Sequence, residues 1–207
     1  MAIKSTFWDK RYSVDEYVYG KEPNSYFKEQ LNKLPAGDIL LVGEGEGRNG
    51  VYAAKQGWNV SAFDISVEGK RKADRLAHKY GVSIDYQVGE LHDQSYQEEQ
   101  FDVIALICTH FPTQSRATLY KELMGYLRPG GRLIMEVFST KQLNYQAKGD
   151  SFGGPKNIDN LYTLEGVRAD FENLEVVELE ETEKRLKKID HNSGLSCVIR
   201  FVGVKKE

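Results

Sequence analysis

The order of apolar runs predicts an α/β fold: a doubly wound, mostly parallel sheet of seven strands with a C-terminal antiparallel hairpin. Three observations predict it. Strand-like and helix-like segments alternate between Asp38 and Phe138, the pattern of a parallel sheet with helices on both faces. The runs DILLV (38–42) and FDVIALIC (101–108) are nearly continuous in apolar residues, as strands covered on both faces are. Two strand-like runs, Leu174–Leu186 and Leu195–Val204, end the sequence with Lys187–Gly194 between them, which reads as a hairpin.

The elements follow in order. Residues 1–35 form an aromatic-rich segment ahead of the first strand, Asp38–Val42. A glycine cluster stops that strand, and Asn49–Gly57 reads as a helix ending on a C-cap glycine. Trp58–Phe63 is the second strand. From Ser66 to Tyr80, the residues Ala73, Leu76, Ala77 and Tyr80 share one helical face, and Gly81 ends the helix. Val82–Val88 alternates apolar and polar residues, as a strand near a sheet edge does. After Phe101–Cys108, Pro112 opens a helix in which Leu119, Leu123 and Leu127 recur. Pro129-Gly130-Gly131 is a turn, and Arg132–Phe138 is the fifth strand. Lys141–Tyr162 is a long polar loop, of a length that is usually functional. Thr163 caps a short helix reaching Phe171.

The 207 residues suit a single domain spanning 1–207. With 40% hydrophobic and 29% charged residues, a disordered or fibrous chain is excluded. The net charge of −3 gives no general attraction to nucleic acid or anionic lipid. No apolar run approaches the ~18 residues of a membrane span, and the N-terminus lacks the apolar core of a signal peptide. The expectation is a soluble cytoplasmic protein. Cys108 and Cys197 sit in separate apolar runs and read as buried thiols. His78, His92, His110 and His191 show no ligand spacing, so no metal site is expected.

Ligands of such sheets bind beyond the carboxyl ends of the strands. There the first strand meets Gly43-Glu44-Gly45-Glu46-Gly47-Arg48-Asn49-Gly50. Glycines allow a sharp turn and close approach of backbone to ligand. Asp64 ends the second strand 21 positions after Gly43, near the ~20-residue spacing of an acid that binds ribose hydroxyls. A nucleoside-containing ligand follows. Gly45–Gly50 also matches the dinucleotide fingerprint, so a nicotinamide-dependent oxidoreductase is one reading. Glu44 and Glu46 would oppose a pyrophosphate, however, and suit a ligand with cationic groups. S-adenosylmethionine, with its sulfonium and ammonium, is such a ligand.

ILLVGEGEG, FDIS, VGEL (88–91), LRPGGRL (127–133) and the terminal hairpin, in that order, resemble the class I S-adenosylmethionine-dependent methyltransferases. FWDKRY, YGKEPN and GEGEGRN are similar to their tellurite-resistance and thiopurine methyltransferase-like branch. The resemblance implies a Rossmann-like sheet and S-adenosyl-L-methionine as cofactor. It implies a cofactor site of Gly43, Gly45, Gly47, Asn49, Asp64 and Ile65, with Glu90 and Leu91 at adenine and Ile107 ending the fourth strand. Many members carry an acid where this chain has Leu41, so Glu44 or Glu46 replaces it at the methionine ammonium. Trp8, Arg11, Tyr12 and Tyr19 are read either as a helix packed on the core or as a lid, with Arg11 clamping the methionine carboxylate and aromatic faces against the sulfonium. His110, after the fourth strand, is the candidate proton acceptor, against a role as a polar turn residue. The expected activity is methyl transfer to a small molecule such as a thiol or chalcogen oxyanion. Lys141–Tyr162 walls the acceptor pocket, and neither nucleic acid nor membrane is a partner. A non-catalytic protein that binds the same cofactor is the remaining alternative.

Overall fold

A computed structural model describes residues 5–189 and 192–206, apart from the side chains of 187–189 and 192. His191 and the first four residues of the N-terminal segment lie outside the described residues. The strands are β1 (Asp38–Val42), β2 (Asn59–Asp64), β3 (Asp85–Val88), β4 (Phe101–Ile107), β5 (Leu127–Phe138), β6 (Leu174–Ile189) and β7 (Asn192–Lys205). They form one sheet of order β3-β2-β1-β4-β5-β7-β6. The first five are parallel, β7 runs antiparallel to β5, and β6 antiparallel to β7.

The helices are α1 (Ser5–Tyr12), α2 (Ser25–Leu31), α3 (Arg48–Lys55), α4 (Val67–Tyr80), α5 (Thr113–Tyr126), α6 (Gln142–Ala147) and α7 (Leu164–Asp170). Alternation along the strands sorts the core onto two faces. Leu40, Val42, Ile104 and Leu106 share one cluster with Tyr120 and Leu123 of α5 and Val167 of α7. Ile39, Leu41, Val103 and Ala105 share the other with Tyr26, Phe27 and Leu31 of α2, Ala53 of α3 and Ala73 of α4. Among the described residues, no helix is long and apolar enough to cross a membrane.

Two expectations are refined. Leu127 belongs to the sheet rather than to α5: it pairs with Phe101, and the register then jumps so that Val103 meets Arg132. Pro129–Gly131 is thus an irregularity inside β5, not a turn ahead of it. Lys141–Tyr162 is not a bare loop. It contains α6 and a 3-10 turn at Ile158–Asn160, and bridges join Ser151 to Gly194 and Ser139 to Tyr162. The fully buried Gln142 holds it to the sheet: its amide donates to Ser151 Oγ (2.8 Å), the Gly153 carbonyl (2.8 Å) and Ser196 Oγ (3.2 Å), and accepts from Cys197 N–H (2.9 Å).

The fold positions the loop after β1 by packing the start of α3 against the middle of α4. Gly47, the residue before α3, has φ +86°, and a Cβ there would lie 2.6 Å from Ala73 Cβ of α4. Gly81, which ends α4, has a similar φ of +65° but no neighbour within 4 Å of a Cβ. Gly81→Ala should therefore cost only backbone strain, about 1 kcal/mol. Gly47→Ala should cost that plus roughly 1–3 kcal/mol of overpacking. Urea denaturation of the two variants measures the difference, and equal losses would show that α3 and α4 are not tightly apposed at Gly47.

Candidate functional site

Beyond the carboxyl end of β1 the backbone turns back over the sheet. A Cβ at Gly43 would lie 2.7 Å from Thr109 Cγ2, and one at Gly45 2.8 Å from the Tyr12 hydroxyl. Both neighbours sit so close that only glycine fits. Thr109 donates to the Val42 carbonyl at 2.6 Å, joining the ends of β1 and β4. Tyr86 of β3 donates to the Gly45 carbonyl at 2.7 Å.

Three acids are buried in and around this loop. Asp64, ending β2, accepts from Gly45 N–H (3.0 Å) and Ser66 N–H (2.9 Å). A carboxylate has about four lone-pair positions, so these bonds leave it capacity for further donors. Burial outweighs them and raises its pKa to about 6. Glu44 accepts from the first amides of α3, Asn49 N–H (2.8 Å) and Gly50 N–H (2.7 Å). Burial raises its pKa to about 7 despite those bonds and the Arg48 charge.

Glu46 turns the other way. Its carboxylate accepts from Val18 N–H (3.0 Å), Tyr19 N–H (3.2 Å) and Lys72 Nζ (2.8 Å). This corrects the expectation of Glu46 at a ligand's ammonium, because its oxygens are committed to the N-terminal segment and α4. Glu44, by contrast, bonds only within its own strand-loop-helix unit, to the first amides of α3.

The N-terminal segment lies on this loop. Asp9 of α1 accepts from Ser66 Oγ (2.7 Å) and Glu68 N–H (3.3 Å). Trp8 stacks on Tyr12, and Tyr12 meets Tyr19 edge to face. Arg11 donates to the Tyr19 hydroxyl at 2.9 Å and faces the rings of Phe7 and Trp8. Arg48 donates to the Tyr19 carbonyl at 2.9 Å. Among the described residues no carboxylate lies within salt-bridge distance of Arg11 or Arg48.

Beyond β4 the backbone is strained: Cys108 has φ +58°, uncommon for a residue with a side chain. Its N–H donates to the Glu136 carbonyl at 2.8 Å. His110 follows. Its Nε2 accepts from Phe138 N–H at 3.1 Å, and its ring stacks on Phe138. Burial lowers its pKa to about 3, although a bond to the Cys108 backbone pulls the other way. Of the two expectations for His110, these contacts are those of a polar turn residue holding backbone groups, and the Nε2 lone pair that a proton acceptor would use is already taken.

Glu136 is a fully buried acid that the sequence reading missed. It accepts from Asn24 Nδ2 (2.7 Å), Arg200 Nε (3.0 Å) and Lys184 Nζ. Burial alone would raise its pKa, but the Lys184 charge and the three donors hold it below the usual range. Asn24 also caps α2 and donates its N–H to Asn49 Oδ1 at 2.9 Å. Asn49 thus serves α2, with its side-chain oxygen turned to the backbone.

The structure therefore brings Trp8, Arg11, Tyr19, Gly43, Glu44, Gly45, Gly47 and Asp64 around one loop, with Ile65 half-buried next to Asp64. Ile107 ends β4 within the core. Glu90 is exposed, its N–H held by Asp93 at 2.8 Å. The Leu91 side chain is buried in the cluster of Val42 and Phe63. Lys72 and Glu136 carried a readable signal, since each is a charged residue inside an apolar pattern. Asn24 carried none.

Residues 39–131 match the family model of the methyltransferase domain. The chain is 29% identical over 127 residues to phosphoethanolamine N-methyltransferase 1 of Zea mays, covering 60% of this chain and 25% of that one. It is 28% identical over 138 residues to the ubiquinone biosynthesis O-methyltransferase of Coxiella burnetii, covering 66% and 56%. The chain thus spans about a quarter to a half of the length of these curated relatives. The crystal structure of TehB from Haemophilus influenzae superposes with a TM-score of 0.72 at 16% identity, over 98% of this chain and 67% of that one. Strand order, glycine loop, the acid ending β2 and the match over residues 39–131 make this chain similar to the class I S-adenosylmethionine-dependent methyltransferases.

Proposed function

We propose that this protein transfers a methyl group from S-adenosylmethionine to a small-molecule acceptor. The observation that carries the reading is Asp64, a buried carboxylate fixed by Gly45 N–H but with lone pairs to spare. Ribose hydroxyls would donate to the lone pairs that the backbone leaves free. The loop's other ligand-facing acid, Glu44, suits an ammonium and would repel a pyrophosphate. Arg11, with no carboxylate partner among the described residues, suits the methionine carboxylate. Trp8 and Tyr19 offer aromatic faces to a cation.

When bound, S-adenosylmethionine supplies a methyl group on a sulfonium, open to in-line attack. The protein's task is to orient the acceptor and exclude water. The N-terminal segment closes the loop side. Cys108–Phe111 and residues 141–162 bound the other. Because His110 is neutral with its lone pair occupied, it offers no base there. The reading therefore favours an acceptor already nucleophilic at working pH, such as a thiolate or a chalcogen oxyanion. The two curated relatives are named for nitrogen and oxygen methylation, so acceptor choice within the family is broad.

Asp64→Asn should weaken binding of S-adenosylhomocysteine by about 1.5–3 kcal/mol, the range for hydrogen bonds to a charged group. NADH should not bind the unaltered protein. Calorimetry measures both, and a normal affinity in Asp64→Asn would remove the residue from the site.

Proton linkage gives a second test. Asp64 and Glu44 have folded-state pKa values of about 6 and about 7, above their ordinary values of 3.8 and 4.5. Their stabilising effect is complete below the ordinary values and is lost as pH rises through the folded ones. The unliganded protein should lose on the order of 3 kcal/mol for each group between acid and neutral pH. Cofactor binding favours the charged carboxylates, so it should release protons near pH 6.5 (the mean of about 6 and about 7). Calorimetry in buffers of different ionisation enthalpy reads that release, and its absence would mean that neither acid meets the ligand.

A further inference from the structure

Lys72 lies on the apolar stripe of α4, beside Ala73 and one turn before Leu76, and is fully buried. Its side chain and that of its partner Glu46 are 0% and 2% exposed. Four consecutive residues of the N-terminal segment close on this pair. Lys72 Nζ donates to the Glu16 carbonyl at 2.5 Å. The Tyr17 hydroxyl donates to the Lys72 carbonyl at 2.9 Å, and its ring lies 5.4 Å from the ammonium. Val18 and Tyr19 donate their N–H groups to the two oxygens of Glu46. Exposed ion pairs hold little, but removing one partner of a buried pair leaves a charge with no solvent to receive it.

The pair also sits at a junction. Glu46 follows Gly45, whose N–H is held by Asp64. Tyr19 carries Arg11 on its hydroxyl and Arg48 on its carbonyl. Whatever fixes residues 16–19 therefore fixes the groups that face the loop.

We propose that Lys72 is a positioning residue, which through Glu46 clasps residues 16–19 and so sets Tyr19 and Arg11 over the glycine loop. The proposal rests on the reading of that loop as the S-adenosylmethionine site. Lys72 itself touches neither cofactor nor acceptor.

The test uses the full chain in three forms: unaltered, Lys72→Met, and Lys72→Met with Glu46→Gln. Three quantities are read: thermal midpoint, affinity for S-adenosylhomocysteine, and amide exchange of residues 5–19 against that of β5 and β7. Lys72→Met should lower the midpoint, weaken binding at least tenfold and speed exchange in residues 5–19 ahead of the strands. The double variant has no buried unpaired charge, so its midpoint should recover. Its affinity and its exchange should not, because glutamine offers one acceptor to two N–H donors and the Glu16 carbonyl has lost its ammonium.

Recovery of all three quantities in the double variant would overturn the proposal, leaving the pair a matter of stability alone. So would a Lys72→Met protein with a lower midpoint but unchanged exchange and affinity. If Lys72→Met does not fold, the double variant decides alone. If the unaltered chain binds no S-adenosylhomocysteine, the cofactor reading fails, while the exchange measurement still decides whether Lys72 holds the segment.

Discussion

Four carboxylates are buried at or near the carboxyl edge of the parallel strands: Glu44, Glu46, Asp64 and Glu136. A charge taken from water must find donors or be neutralised. That requirement organises the site, because the donors come from distant parts of the chain. Glu46 gathers Val18, Tyr19 and Lys72. Glu136 gathers Asn24, Lys184 and Arg200, and Asn24 in turn joins Asn49 of α3. Without Glu46, the N-terminal segment would keep the contacts of Asp9, Tyr17 and Arg48 and of the Lys72 ammonium with the Glu16 carbonyl against the loop and α4, but not the anchoring of Val18 and Tyr19.

The four acids are not equivalent. Glu136 is satisfied within the protein: burial pushes its pKa up, yet Lys184 and the hydrogen bonds hold it below the usual range. Asp64 and Glu44 are held by backbone N–H groups, with no charged side chain bonded to them, and burial keeps them raised. Perturbed carboxylates in a crevice are a known mark of functional sites, though not a sufficient one. Here the glycine loop beneath them supplies the second half of the argument.

The carboxyl end of β4 follows a different logic. Cys108 turns through a left-handed conformation, and His110 then ties the turn to β5 through Phe138 N–H. A histidine in that place looks like a catalytic base in the sequence. In the fold it spends both its position and its lone pair on holding backbone groups. Lys141–Tyr162 likewise looked like an open loop, but Gln142 fastens it to β7 and Tyr162 pairs it to Ser139. Rigid walls beside the site are what an enzyme that aligns two reactants needs.

The sequence by itself determined the five alternating units, the terminal hairpin, the glycine loop and Asp64. Each is a local signal: apolar period, glycine spacing, and an acid at a fixed distance after a strand. Glu136 was partly legible as a charge within an apolar run and Lys72 as a charge in line with an apolar helix face, but their partners were not. Only the tertiary structure decided which glutamate the N-terminal segment takes, since Glu44 and Glu46 are two positions apart and chemically alike. Their difference comes from what folds against them, α3 amides for one and residues 18, 19 and 72 for the other. The same holds for His110 and Asn24. A side chain's type is written in the sequence, whereas its hydrogen-bond partners are set by contacts between residues far apart in the chain, and no local pattern records those.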